Sequence, residues 1–139
     1  MNISNNVEIL NIIYQGSHMA INTINMLDEA SQRELLTLLE AHYHMAYLAD
    51  KELHYLGQEP IDLNIYEKVG SWPRREISGG NVLLLSPISE LVEDGTAMIL
   101  DEIIIKLDEY KNLLPGHRQI AESFISLQKQ HLEIIEKYI

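Results

Sequence analysis

Four ionisable side chains fall where helical periodicity turns a residue inward: His42, Glu52, Glu102 and His131. A buried ionisable group needs a partner. Imidazole and carboxylate donors drawn from several helices have the composition of a mononuclear zinc, iron or manganese site. His44 joins them as a candidate ligand, with His18 and Asp94 as neighbours that a modest helix rotation brings in. The competing reading needs no metal: His42 and His131 hydrogen-bond to Glu52 and Glu102 and fix the register of the helices at some cost in stability. His42 and His44 cannot chelate one ion from a single regular helix, because residues two apart point about 200° from one another.

A second cluster surrounds two glycines. Gln15-Gly-Ser-His-Met-Ala-Ile-Asn-Thr-Ile is echoed by Asp94-Gly-Thr-Ala-Met-Ile-Leu-Asp-Glu-Ile, so Gly16-Ser17-x-Met19 answers Gly95-Thr96-x-Met98. Each glycine lies inside an apolar helical stretch, where it costs about 1 kcal/mol relative to alanine. Close approach of the first and third helices is the preferred compensation. The alternative is a small ligand pocket at Gly16 and Gly95, flanked by Met19 and Met98 and lined by Ser17 and Thr96. A third candidate is Ser71-Trp72-Pro73-Arg74-Arg75, which sets the only tryptophan beside two arginines. Trp72 is read as a lid over the core with the arginines paired to carboxylates, or else Trp72, Arg74 and Arg75 form a partner-binding loop.

Composition removes several function classes. Ten basic against twenty-one acidic residues give a net charge of −11, unfavourable for nucleic acid or an anionic membrane as partner. The absence of cysteine excludes disulfides, thiolate metal sites and cysteine nucleophiles. No phosphate loop, serine elbow or kinase-like set appears. Met1-Asn-Ile-Ser-Asn-Asn lacks the basic start of a signal peptide, and no apolar run approaches the roughly 20 residues of a membrane span. A cytoplasmic location is expected.

The candidates must be positioned by helices. The spacing predicts one all-α domain over 1–139, with helices at about 6–28, 32–56, 87–112 and 117–138. Asn5 with Glu8, and Ser31 with Glu34, read as capping boxes. Gly57 reads as a helix stop, and Ser86-Pro87 as a helix start. The two short connections make two antiparallel hairpins. The stretch from 58 to 85, with Pro60, Gly70, Pro73 and Gly79-Gly80, is long enough to cross the length of a bundle at about 3.3 Å per residue. Two hairpins joined by one long crossover is the ferritin-like form of the four-helix bundle; an up-down-up-down bundle with an insert is the alternative.

Leu10-Asn-Ile-Ile-Tyr-Gln-Gly-Ser-His-Met-Ala and Ser86-Pro-Ile-Ser-Glu-Leu-Val-Glu-Asp-Gly-Thr-Ala-Met resemble segments of a family of uncharacterised bacterial ferritin-like four-helix-bundle proteins. The resemblance implies the fold and no particular chemistry. Di-iron members of the wider class use one glutamate from each of two helices and a Glu-x-x-His pair from each of the others. Here no Glu or Asp precedes a histidine by three; Gln128-Leu-Lys-Gln-His131 and Ala41-His-Tyr-His44 stand nearest to the pattern. The expectation is a non-enzymatic bundle without cofactor, acting through protein interaction or in a stress-associated role, as a homodimer or with a protein partner. The alternative is a metal-binding or oxidoreductase protein with a degenerate site for iron, zinc or manganese.

Overall fold

The computed structural model describes residues 3–62 and 85–137, and these residues form an all-helical bundle. Its elements are α1 (Ile3–Asn25), α2 (Glu29–Glu34), α3 (Leu36–Tyr55), α4 (Leu85–Glu109) and α5 (Pro115–Glu136). No helix among the described residues is long and apolar enough to cross a membrane.

Local chemistry accounts for most boundaries, and several differ from the sequence reading: α1 runs over 3–25 rather than 6–28, and α4 starts at Leu85 and ends at Glu109, so Ser86-Pro87 lies within its first turn. Ser31 is not a cap. The cap is Asp28, whose carboxylate accepts from the Ser31 amide at 3.2 Å and from the Ser31 hydroxyl at 2.6 Å. An ionised acceptor at a helix start is favoured by the helix dipole as well as by the hydrogen bond, so the helix begins earlier. It then breaks at Leu35 (φ −101°, ψ 13°), dividing the expected 32–56 helix into α2 and α3. Asn5 lies inside α1 rather than at its cap, and Glu8 reaches across to Lys106 at 3.3 Å and to the Tyr110 hydroxyl. The stop at Gly57 has a φ of +76°. Its amide donates to His54 and that of Gln58 donates to Leu53, the paired bonds of a Schellman ending that glycine adopts without strain. Pro115 opens α5 at its first turn, where its missing N–H costs nothing.

Hydrogen bonds fix the helix directions. Near the start of α1, Asn6 bonds the Leu114 amide and His117 at the start of α5, and Glu8 meets Tyr110 just past the end of α4. Glu52, near the end of α3, meets the same His117. One end of the bundle therefore holds the starts of α1 and α5 and the ends of α3 and α4. It follows that α3 and α4 run parallel, and that the end of α3 and the start of α4 lie at opposite ends, about 37 Å apart along α4 at 1.5 Å per residue. Residue Ile61 is already bound to the outer side of α1: its amide donates to Asn11 Oδ1 at 2.9 Å, and its carbonyl accepts from Gln15 Nε2 at 3.0 Å.

The core is aliphatic, with Ile9, Ile13 and Ile24 of α1, Ala49 and Leu53 of α3, Ile99 and Ile103 of α4, and Phe124 of α5 all fully or almost fully buried. Helices approach closely at Gly16. A β-carbon built there would lie 2.8 Å from Phe124 Cζ and 2.9 Å from Ile99 Cγ2, below any normal carbon contact. The missing side chain admits the Phe124 ring. Gly116, in the first turn of α5, has open space around it. The two glycines should therefore respond oppositely to alanine. Gly16→Ala should lose about 1–3 kcal/mol to overpacking despite its better helix propensity, whereas Gly116→Ala should gain up to about 1 kcal/mol. Urea unfolding of both variants checks this, and a stabilised Gly16→Ala would refute the close approach.

Candidate functional site

An uncharged polar layer lies beyond Phe124 in the core. His42 is buried on the inner face of α3, and its Nδ1 lies 2.8 Å from the Leu38 carbonyl. A carbonyl only accepts, so Nδ1 carries the hydrogen. The Nε2 lone pair then accepts from the Gln128 amide nitrogen at 3.0 Å. Gln128 and His131, one turn apart on α5, are both buried, and the His131 ring stands edge-on to His42 with centroids 5.3 Å apart. Burial, and then the neighbouring His42, pushes the His131 imidazole down to about 3, and burial lowers His42 as well. Both rings are neutral at pH 7. Among the described residues, His131 Nδ1 is fully enclosed without a hydrogen-bond partner, and so are Ser17 Oγ and Thr96 Oγ1.

The helix directions bring these groups to similar heights. Gly16 touches Phe124 and Ile99. Moving away from that contact in the common direction, α1 presents Ser17, α5 presents Gln128 and then His131, and α4, running oppositely, presents Thr96. The two hydroxyls are the repeat-related residues that follow Gly16 and Gly95.

The residues read from sequence as one metal set occupy three places. His42 and His131 meet in the polar layer, while His44 is exposed on the far side of α3. Glu52 accepts from His117 Nε2 at 2.9 Å, and Glu102 is half-buried beside a surface groove. The expected His42–Glu52 pair is thus corrected, since His42 bonds Leu38 and Gln128 while Glu52 bonds His117. Among the described residues, no three His, Cys, Asp or Glu side chains gather as a metal cage would require. Asp94 is exposed, and His18 stacks edge-on against Tyr14 at 4.5 Å. Of the pocket candidates, Ser17, Met19, Gly95 and Thr96 are buried and Met98 is exposed. The space at Gly16 is filled by Phe124 and Ile99, which makes it a contact point rather than a pocket. Trp72, Arg74 and Arg75 lie outside the described residues.

Two polar arrangements escaped the sequence reading. Asn6 Oδ1 accepts from the Leu114 amide at 3.0 Å and faces His117 Nδ1 at 2.7 Å, so that imidazole bridges Asn6 and Glu52. The bridge ties α1, α3 and α5 together. An asparagine within the first helix was its only trace in the sequence, because such a side chain competes poorly in helices unless it bonds elsewhere. The second is a groove of about 420 Å3 beside α1, where Asn11 and Gln15 hold Ile61 and where Glu8 and Glu102 form part of the wall.

A scan against protein-family models finds no match for this chain, and comparison with curated proteins and with solved structures finds none either.

The layer can accept hydrogen bonds or offer imidazole lone pairs. It is a poor general base at neutral pH, because His131 is held at about 3. Both histidines of the layer have folded values below their unfolded ones, so the stability that His131 contributes is present above about 6.5 and is lost as pH falls from there towards 3, and His42 loses its contribution in the same direction. For His131 alone the loss between pH 7 and pH 5 should be about 2 kcal/mol. His131→Gln should remove one proton from the acid unfolding slope, and an unchanged slope would contradict the burial of a neutral imidazole. Thr96→Val, which removes an unpartnered hydroxyl without changing shape, should be neutral or stabilising by up to about 1–2 kcal/mol. Thermal melts of the single variant decide the sign.

Proposed function

We propose that this chain is a ferritin-like bundle of two helical hairpins joined by a crossover over 58–85, of the uncharacterised bacterial family it resembles, and that it works in the cytoplasm through protein interaction without catalysis. The parallel course of α3 and α4 supports the topology, since two hairpins joined at the same end would run them antiparallel. The observation that carries the interaction reading is the outer face of α3. Leu36, Tyr43, Tyr47 and Tyr55 are between 49 % and 80 % exposed there. Tyrosine presents a large amphipathic surface at low entropic cost and is enriched where proteins meet. A homodimer is the partner this reading favours.

The di-iron centre of the wider class does not fit these residues. At the mid-bundle level this chain offers Ser17, Thr96, His42, Gln128 and His131, none a carboxylate, whereas a pair of iron ions requires bridging carboxylates from several helices. A second reading, a single borderline ion such as zinc, draws support from one feature. The His42 and His131 rings are 5.3 Å apart, and His42 already donates its Nδ1 hydrogen to a backbone carbonyl, as metal-bound histidines do.

Elemental analysis of untagged protein incubated with iron, zinc and manganese separates the two. The interaction reading expects substoichiometric metal throughout. About one equivalent of zinc, lost in His131→Ala, would move the function to the metal reading.

A further inference from the structure

The α3 surface carries a pattern that its exposure alone does not explain. Residues 36, 40, 43, 47 and 51 recur at steps of four and three, which places them on one stripe of the helix. The stripe lies opposite the buried Leu38, His42, Met45, Ala49 and Leu53. All five are exposed, and Tyr55 flanks the stripe near the end of α3. Its order is apolar, acidic, aromatic, aromatic, basic and aromatic: Leu36, Glu40, Tyr43, Tyr47, Lys51, Tyr55.

That order is self-complementary when reversed. A two-fold axis crossing α3 at residues 45–46 sets Glu40 opposite the second copy's Lys51, Tyr43 opposite its Tyr47, and Leu36 opposite its Tyr55. Each pairing occurs twice. No other registration of this stripe satisfies all three at once: a shift of one turn sets Glu40 against Tyr47 or Tyr55 and moves Lys51 off Glu40 to face Leu36 or His44. A parallel pairing would set Glu40 against Glu40 and Lys51 against Lys51, which like-charge repulsion opposes. We propose that the stripe is an isologous interface, and that the occupant is a second copy of this chain lying antiparallel along α3. The charge complementarity also answers a difficulty raised by composition. Two chains of net charge −11 repel at long range, so a dimer needs opposite charges matched locally at the contact.

This rests on the homodimer reading given above and adds the surface, the symmetry and the register. One helix face per copy makes a small interface, so the dimer dissociates on dilution. The side chains involved are exposed, and Tyr43 keeps its bond from Asn25 Nδ2 at 3.3 Å at the margin of the stripe. Substitutions here leave the core untouched.

Sedimentation equilibrium of the full chain over a wide concentration range tests the proposal, with circular dichroism as the folding control. The expected result is a monomer–dimer equilibrium. Its Kd should rise about tenfold or more in Glu40→Lys and in Lys51→Glu, because each puts like charges together twice. The double reversal Glu40→Lys/Lys51→Glu should return Kd to within about threefold of the starting protein. A dimer indifferent to both single reversals would overturn this face while leaving self-association standing. Single reversals that weaken the dimer without rescue in the double variant would overturn the register. A monomer at every concentration would overturn the interface and the homodimer reading together.

Discussion

Everything in this bundle is arranged around the absence of one methyl group. Where Gly16 lacks a β-carbon, the edge of the Phe124 ring and the Ile99 side chain come into van der Waals contact with the α1 backbone. Helices from both hairpins therefore touch through side chains that would otherwise hold them apart. Protein interiors are packed too densely to absorb a displacement of this kind locally. The heights of the layers on either side follow from this contact, with Asn6, Glu52 and His117 below and His42, Gln128 and His131 above.

The two polar levels differ in character. The lower one is fully engaged with neighbours: Asn6 accepts from the Leu114 amide, and the His117 imidazole, its two nitrogens facing Asn6 and Glu52, bridges three helices. It sets which helix ends lie together and so the direction of each helix. The upper one is only half-satisfied, since His42 has two partners while Ser17, Thr96 and one nitrogen of His131 have none among the described residues. Unpartnered polar groups in an apolar core oppose folding, and a native fold keeps few of them. Their concentration at one height, on helices of both hairpins, marks this layer as the place where the chain gives up stability.

The outer surface follows from the same economy. With Leu38, His42, Met45, Ala49 and Leu53 turned inward, α3 must present the opposite stripe to solvent, and that stripe is rich in tyrosine. The inward face is the apolar stripe of an ordinary amphipathic helix, interrupted only by His42, while the outward face is aromatic where such a helix is usually polar. Among the described helices, α3 buries one polar side chain, His42, and carries the tyrosine-rich surface that has most to offer a partner.

Periodicity determined by itself that the chain is helical, and it located the inward faces on which Ile9, Ile13, His42, Phe124 and His131 lie, because a 3.6-residue repeat leaves a solvent-avoiding stripe whatever the helix packs against. Glycine and proline chemistry likewise made Gly57 and Pro115 readable as boundaries, since each acts through its own backbone. Contacts between helices were decided elsewhere. That Glu52 meets His117 rather than His42, that Asp28 rather than Ser31 caps α2, and that Gly16 is a contact rather than a pocket depend on distances and competing acceptors that no spacing encodes. The sequence names which side chains face inward; only the tertiary structure, by fixing helix direction and height, decides which of them meet.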